Sequence, residues 1–356
     1  MEKVRLGDIC VKQSSKLAQK DLENMDGSYP IFGASGLIKK INTYDQKAEY
    51  VAVVKDGAGV GRTMLLPAYS SVIGTLQYLI PNDNFNAKYL YYAVKSRHLE
   101  KYYTGSAIPH IYFKDYKSEP IILFDRIAQK KIVLVLERVE KIIEKQKQQL
   151  EMLDTLIKAR FIEMFGDQKA NPFEWPQTTI GDCCILKSGT SLPADKENEG
   201  GAIPYVKVGD MNYPGNEQYI TTSSRFVTEQ TARAGIFPAG TVIFPKRGGA
   251  IGTNKKRLTT LPICADLNVM GVTAGSALKS QYLMAYFNMV DLGALDNGSS
   301  VPQINNKDIA PLVICLPPLE LQEQFAVFAE QVDKSKVIAI FFLKSKQNIH
   351  IEMQKI

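Results

Sequence analysis

Two glycine turns flanked by cations are the first places in this sequence where chemistry is conceivable. Lys55-Asp56-Gly57-Ala58-Gly59-Val60-Gly61, followed by Arg62, sets positive side chains beside backbone amides that glycine leaves uncovered. Lys246-Arg247-Gly248-Gly249-Ala250-Ile251-Gly252, followed by Lys255, Lys256 and Arg257, does the same with more charge. Cations and bare amides suit phosphate oxygens, and polar groups that reach base edges read sequence. Lys55, Arg62, Lys246, Arg247, Lys255, Lys256 and Arg257 are therefore candidate contacts to a polyanion, the alternative for each being a solvated surface charge. Two further segments, Gly105-Ser106-Ala107-Ile108-Pro109-His110-Ile111 and Gly298-Ser299-Ser300-Val301-Pro302-Gln303-Ile304, present Ser106, Ser299, Ser300, Gln303 and Asn305 near an expected loop-to-helix junction. A helix start there suits a phosphate, and capping and packing explain the same residues equally well. Tyr44, Tyr102 and Tyr103 are candidates to touch bases or to sit in the core.

Catalytic motifs fail on inspection. Phe32-Gly33-Ala34-Ser35-Gly36 mimics the Phe-x-Gly-x-Gly loop of adenine methyltransferases, but such a loop follows a buried strand and opens a helix. Here Tyr29-Pro30 precedes it and Lys39-Lys40 follows, and Asn171-Pro172-Phe173 lacks the second proline of the partner catalytic segment. Gly57-x-Gly59-x-Gly61 has the wrong spacing for a dinucleotide fingerprint, no phosphate loop of the Gly-x-x-x-x-Gly-Lys-Ser/Thr type occurs, and no nuclease carboxylate–lysine cluster stands out. Cys10, Cys183, Cys184, Cys264 and Cys315 form no Cys-x-x-Cys pair, and His98, His110 and His350 are scattered, so buried reduced thiols are a better reading than a metal site. No catalytic, cofactor or metal residue is assigned.

Bulk properties are those of an ordinary soluble globular protein. The 356 residues, 45% hydrophobic and 22% charged, allow two domains, and a net charge of +6 permits a polyanionic partner without requiring one. Val337 to Leu343 is too short to cross a bilayer and the N-terminus lacks a signal-peptide core, so the expected location is the cytoplasm.

The elements that must position these residues occur twice. The segment at 105–111 returns 193 positions later at 298–304, and the same offset carries Tyr89-Leu90 onto Tyr282-Leu283 and Lys114-Asp115 onto Lys307-Asp308. It also carries Gln129 onto Gln322, Glu137 onto Glu330, Val139 onto Val332 and Lys141 onto Lys334. Upstream the offset falls to 191 at the glycine turns and to 174 between Leu6-Gly7-Asp8 and Ile180-Gly181-Asp182. Each copy thus has a variable front and a well-registered back. The fronts hold short β-like runs such as 50–54 and 241–244 between turns. The backs are helical. Ile132, Leu136, Val139, Ile143, Gln146, Leu150, Leu153 and Ile157 recur at alternating spacings of four and three, a coiled-coil seam. Phe325, Phe328, Val332, Ala339, Phe342, Ile349 and Met353 sketch a second seam, interrupted by Ser335 and Lys346. Asp125 and Pro317-Pro318 are the expected helix starts. The fold expected is α+β: two tandem mixed, mostly β domains separated by two long helices in an antiparallel coiled coil, with a pseudo-twofold internal repeat. The alternative has each helix packing on its own domain alone. The boundaries expected are 1–125, 126–166, 167–318 and 319–356.

This layout resembles the specificity (S) subunits of type I restriction-modification systems along essentially the whole chain. The resemblance rests on 29–36 with 55–61, on Phe161-Ile162-Glu163-Met164-Phe165-Gly166-Asp167, on Asn171-Pro172-Phe173-Glu174-Trp175-Pro176 with 180–182, and on 203–211 and 244–252, all in order and duplicated. It implies two target recognition domains, each followed by a helical spacer, with the spacers packed antiparallel. It also implies a non-catalytic subunit that reads a split target in double-stranded DNA, with the cations and the Ser106, Ser299 and Gln303 side chains above as its candidate DNA contacts, and that holds methyltransferase (modification) and restriction/translocase subunits. One departure is that no second Phe-Gly-Asp exit precedes Ile356, as a truncated allele would show. A helix from Arg126 to Met164 would run about 58 Å, equivalent to at most roughly 17 base pairs between half-sites. Three rivals remain: a stand-alone DNA adenine methyltransferase or nuclease, a coiled-coil scaffold that does not bind DNA, and a specificity chain serving methylation alone.

Overall fold

A computed structural model describes residues 2–105, 108–233, 235–295 and 301–354, with side chains through residue 351 of the last helix. The chain divides into two compact units, residues 1–148 with 340–356 and residues 149–339. Each long helix, Arg126–Phe165 and Leu319–Gln354, contributes one end to each unit.

The first unit is built on an antiparallel sheet in the order Cys10–Ser14, Leu76–Pro81, Tyr50–Val54, Thr63–Leu66. Tyr50–Val54 is an uninterrupted apolar run because both of its faces are covered. Val51 and Val53 enter one core with the helix Ala87–Lys95 and with Leu136, while Tyr50, Ala52 and Val54 enter another with Ile31 and Ile41. Burying each such side chain is worth about 2 kcal/mol. The second unit repeats the sheet as Cys184–Ser188, Val269–Ala274, Thr241–Pro245, Arg257–Thr259, and adds Tyr219–Ile220 at the edge. Val242 and Phe244 again face one core and Ile243 another. A short pair closes each unit, Lys3–Arg5 with Pro120–Ile122 and Gln177–Thr179 with Val313–Cys315.

The 193-residue offset has a physical cause. Gln129 is fully buried in the first turn of its helix, and its Nε2 donates to the carbonyls of Asn84 and Phe124 at 3.1 and 2.8 Å while Oε1 accepts from Asn86 N at 2.8 Å. Gln322, also fully buried, makes the equivalent bonds to Ala277 O, Pro317 O and Lys279 N at 3.0, 2.8 and 2.8 Å. The Tyr89 hydroxyl donates to Ile122 O as that of Tyr282 donates to Cys315 O. These buried bonds lash each long helix to the sheet domain before it, and a buried polar group without its partner is costly. That is why these side chains occur in both copies. Asp125 starts the first helix by accepting the Ala128 amide, and Pro317-Pro318 stand directly before Leu319.

Within the second unit the helices run antiparallel. Phe161 and Phe165 both meet Phe325, and Asp154 meets Lys336 at 2.7 Å farther along. Within the first unit Glu140 lies 3.2 Å from His350. The central seam buries Leu136, Val139 and Ile157 and half-buries Ile132, Ile143, Leu150 and Leu153. The distal seam needs a correction. Phe342 is 50% exposed and Ile349 42%, so neither lies in it. Strict spacing of four and three from Phe325 runs instead through Ala329, Val332, Lys336, Ala339, Leu343, Lys346 and His350, all buried or half-buried. Apolarity alone misplaced the stripe, because long polar side chains fill seam positions by burying their stems. Phe328 flanks the seam under the Arg160 guanidinium, 5.8 Å from the ring centre, and Met353 lies beyond the described side chains.

Candidate nucleic-acid interface

The two sequence signals of each copy, far apart in the chain, meet in space. In the first unit Gly57 N donates to Pro109 O and Ile111 N donates to Lys55 O, both at 2.9 Å. In the second, Gly248 N donates to Pro302 O at 2.8 Å and Ile304 N to Lys246 O at 2.9 Å. The residues between them face each other as bridges, Asp56 with His110 and Arg247 with Gln303. Each unit thus carries a glycine turn stitched to a Pro-x-Ile segment.

The turns themselves differ. In the first, Gly57, Gly59 and Gly61 all adopt positive φ, and a Cβ on Gly61 would lie 2.3 Å from Glu100 N. In the second, only Gly248 has positive φ within a 3-10 helix, Gly248–Thr253, that Asn254 terminates in a left-handed conformation. Gly249 and Gly252 have ordinary φ, and a Cβ on either would meet nothing within 4 Å. Nothing inside the domain requires glycine there, so bare backbone is being offered outward.

The cations separate into two groups. Arg62 and Arg247 are exposed and Lys55 and Lys255 half-exposed, even though Arg62 Nη1 donates to Ala34 O at 2.8 Å and Lys255 Nζ donates to Asn212 Oδ1. Lys55 also lies 3.5 Å from the Asp56 carboxylate. The other three turn inward, which corrects their expected place on the surface. Lys246 is 7% exposed and its Nζ donates to Ser188 Oγ at 2.8 Å, with burial and then Arg247 lowering its pKa. Lys256 is 4% exposed and donates to Val290 O and Asn254 Oδ1 at 2.6 and 2.7 Å, and burial brings its pKa down to about 8. Arg257 donates to the carbonyls of Asn216, Lys256 and Met211. A cation within reach of a loop's unpaired carbonyls satisfies them and is spent there. Gln303 is half-buried, with Nε2 donating to Asn305 Oδ1 at 2.8 Å, and the Asp308 carboxylate accepts the Asn305 amide. Asn305 is thereby held at the start of a four-residue helix, Asn306–Ile309, by the Asp308 carboxylate and not by its own side chain. Ser106, Ser299 and Ser300 lie outside the described residues. Sequence reasoning missed Ile108 and Val301, which stand 65% and 61% exposed at equivalent positions; their 193-residue spacing was the available signal.

The rejected motifs have structural explanations. Phe32-Gly33-Ala34-Ser35-Gly36 is the hairpin joining Tyr29–Gly33 to Gly36–Ile41, with no helix after it. Asn171 clamps the backbone of Trp175 through both side-chain atoms, at 2.9 Å each. Burial pushes the thiols of Cys10 and Cys184 up to about 12 and that of Cys264 to about 11, which suppresses thiolate chemistry. Among the described residues no group of three His, Cys, Asp or Glu is placed to hold a metal, and no helix is long and apolar enough to cross a membrane.

Two sheet domains, each with a stitched glycine turn and a long helix, define a class of duplicated scaffold. The type I restriction modification DNA specificity domain matches residues 1–152 and 172–340, and the chain belongs to that family. It is 24% identical over 274 residues to the type I restriction enzyme MjaIX specificity subunit of Methanocaldococcus jannaschii, a match covering 69% of this chain and 62% of that one. The chain spans less than two thirds of the length of the curated relatives it matches. In fold it is similar to the type I restriction-modification S subunit from M. genitalium, with a TM-score of 0.63 at 17% identity over 99% of this chain and 95% of that one. It is likewise similar to a chain from a structure concerned with complex assembly and conformational transition of the type I R-M system, with a TM-score of 0.57 at 15% identity over 99% and 96%.

Proposed function

We propose that this chain is the non-catalytic DNA-recognition subunit of a type I restriction-modification complex, working in the cytoplasm. Residues 1–125 and 167–318 act as recognition domains that each read one half of a split target, and 126–166 and 319–356 act as the spacers between them. The observation that carries the reading is the stitched glycine turn, made twice by the same pair of backbone hydrogen bonds and flanked each time by exposed cations. Phosphates settle on such amides and cations, and neighbouring polar side chains that differ between the copies, His110 against Gln303, suit two different half-sites. Arg62, Lys55, Arg247, Lys255 and Gln303 are the DNA contacts favoured by exposure, with Ser106 and Ser299 retained from the sequence.

The helices supply the surface for partners. Leu134 and Val327 hold the same repeat position and are 54% and 50% exposed. Equivalent apolar positions on a duplicated scaffold suit two copies of one partner, the methyltransferase subunit, with restriction/translocase subunits joining the full complex. Methyl donor and ATP chemistry then belong to those partners. The test is methylation mapping in cells that co-express this chain with its modification subunit. An adenine mark in both halves of a split sequence, absent without this chain, is expected; a single continuous specified sequence would overturn the two-reader scheme.

A further inference from the structure

An apolar side chain held out to water at the same place in both repeats calls for a ligand. Ile108 and Val301 are both β-branched, 65% and 61% exposed, and each directly precedes the proline whose carbonyl accepts the glycine-turn amide. Their neighbours change between copies, His110 becoming Gln303 and Ala107 becoming Ser300, yet the exposed apolar character persists. The nearby isoleucines of the same segments, Ile111 and Ile304, are 1% and 0% exposed and do the packing.

The surroundings say what the ligand is. Lys55 is stitched to the segment that carries one position and Arg247 bridges the segment that carries the other, and the exposed backbone at Gly249 and Gly252 is uncovered by any side chain of its own, so the surface suits a polyanion. An apolar side chain gains by burial only against another apolar group. Among the base edges of a DNA major groove the group that qualifies is the thymine C5-methyl. We propose that Ile108 and Val301 each read the methyl group of a thymine, one in each half of the DNA target. This rests on the DNA-recognition reading above and adds a specificity-determining residue to each half.

The experiment uses the 356-residue chain and its Ile108→Ser and Val301→Ser variants, which remove every side-chain methyl at exposed positions where a substitution leaves the fold intact. Each is used to select binders from a random duplex library, and the recovered half-sites are compared. The wild type should enrich a split sequence with a thymine in each half. Each variant should lose preference at that thymine in its own half by about tenfold, with the other half unchanged and the slope of log affinity against log salt unaltered. Replacing that thymine by uracil, which deletes only the methyl, should weaken the wild type and add nothing to the matching variant's defect. Identical selections from wild type and variants, or equal loss in both halves, would overturn the proposal while leaving DNA recognition standing. A wild type that shows no salt-sensitive DNA binding at all overturns both.

Discussion

Lys256 and Arg247 stand within ten residues of each other, and charge alone would give them the same role. Their surroundings give them opposite ones. The Lys256 ammonium is bonded to Val290 O and Asn254 Oδ1, whereas the Arg247 side chain is exposed. Each phosphate-facing cation contributes about one unit to the salt dependence of DNA binding. Arg247→Met should therefore lower that slope by about one, and Lys256→Met should leave it unchanged, as fluorescence titrations at several salt concentrations would show. Lys256 also leaves a pH signature. Its folded pKa of about 8 lies below the unfolded value of roughly 10.4. Below 8 both states hold the proton and the burial penalty is constant. Between those values the folded state has shed it and the unfolded state has not, so stability rises with pH. In thermal melts the wild type should gain on Lys256→Met across that window and nowhere else. At Gly249 the absence of any internal demand for glycine predicts a separation of effects. Gly249→Ala should melt with the wild type yet bind DNA about tenfold more weakly, because the added methyl holds a phosphate off the exposed backbone and lengthens its hydrogen bond to an amide there; a shifted melt would return that glycine to a structural role.

For the elements, spacing outranks apolarity in deciding what a helix buries. Leu136 is 1% exposed in a core with Val133 and the sheet, while Phe342, the larger hydrophobe, is 50% exposed. Leu136→Ala should destabilise the chain by about 3 kcal/mol, and Phe342→Ala should fall within about 0.5 kcal/mol. Urea titrations of both variants would check this, with a large effect at Phe342 arguing that it is covered in the free chain. The central seam was legible because its positions are apolar at regular spacing. The distal one was not, because Lys336, Lys346 and His350 occupy seam positions that a search for hydrophobes skips. Lys336 earns its place by ion pairs to Asp154 and Asp333 at 2.7 and 3.3 Å, partners that no local pattern reveals.

For the whole molecule, duplication and spacer length together make the prediction. If the helices set the separation of the half-sites, one heptad inserted into the exposed face-matched middle of both helices lengthens the spacer by about 10 Å. The unspecified gap in the methylated sequence should then widen by about three base pairs with both half-sites unchanged. A gap that keeps its length after the insertion, in a complex that still methylates, would remove the ruler role from the helices. The net charge of +6 belongs to this scale as well, as a weak general attraction to any polyanion.

The sequence by itself determined the internal repeat, the α+β class, the first helix and its seam, and the family. Each of these is written in local spacing or in side chains that must recur because the same buried bonds recur, as Gln129 and Gln322 do. Only the tertiary structure decided that the glycine turn and the Pro-x-Ile segment are one surface, since backbone amides and carbonyls join them and carry no residue identity. It alone separated the outward cations from Lys246, Lys256 and Arg257, and placed Ile108 and Val301 in the open. Periodicity is a property of the chain, whereas exposure depends on what else folds against it, and a lysine that finds two carbonyls is spelled the same way as one that finds a phosphate.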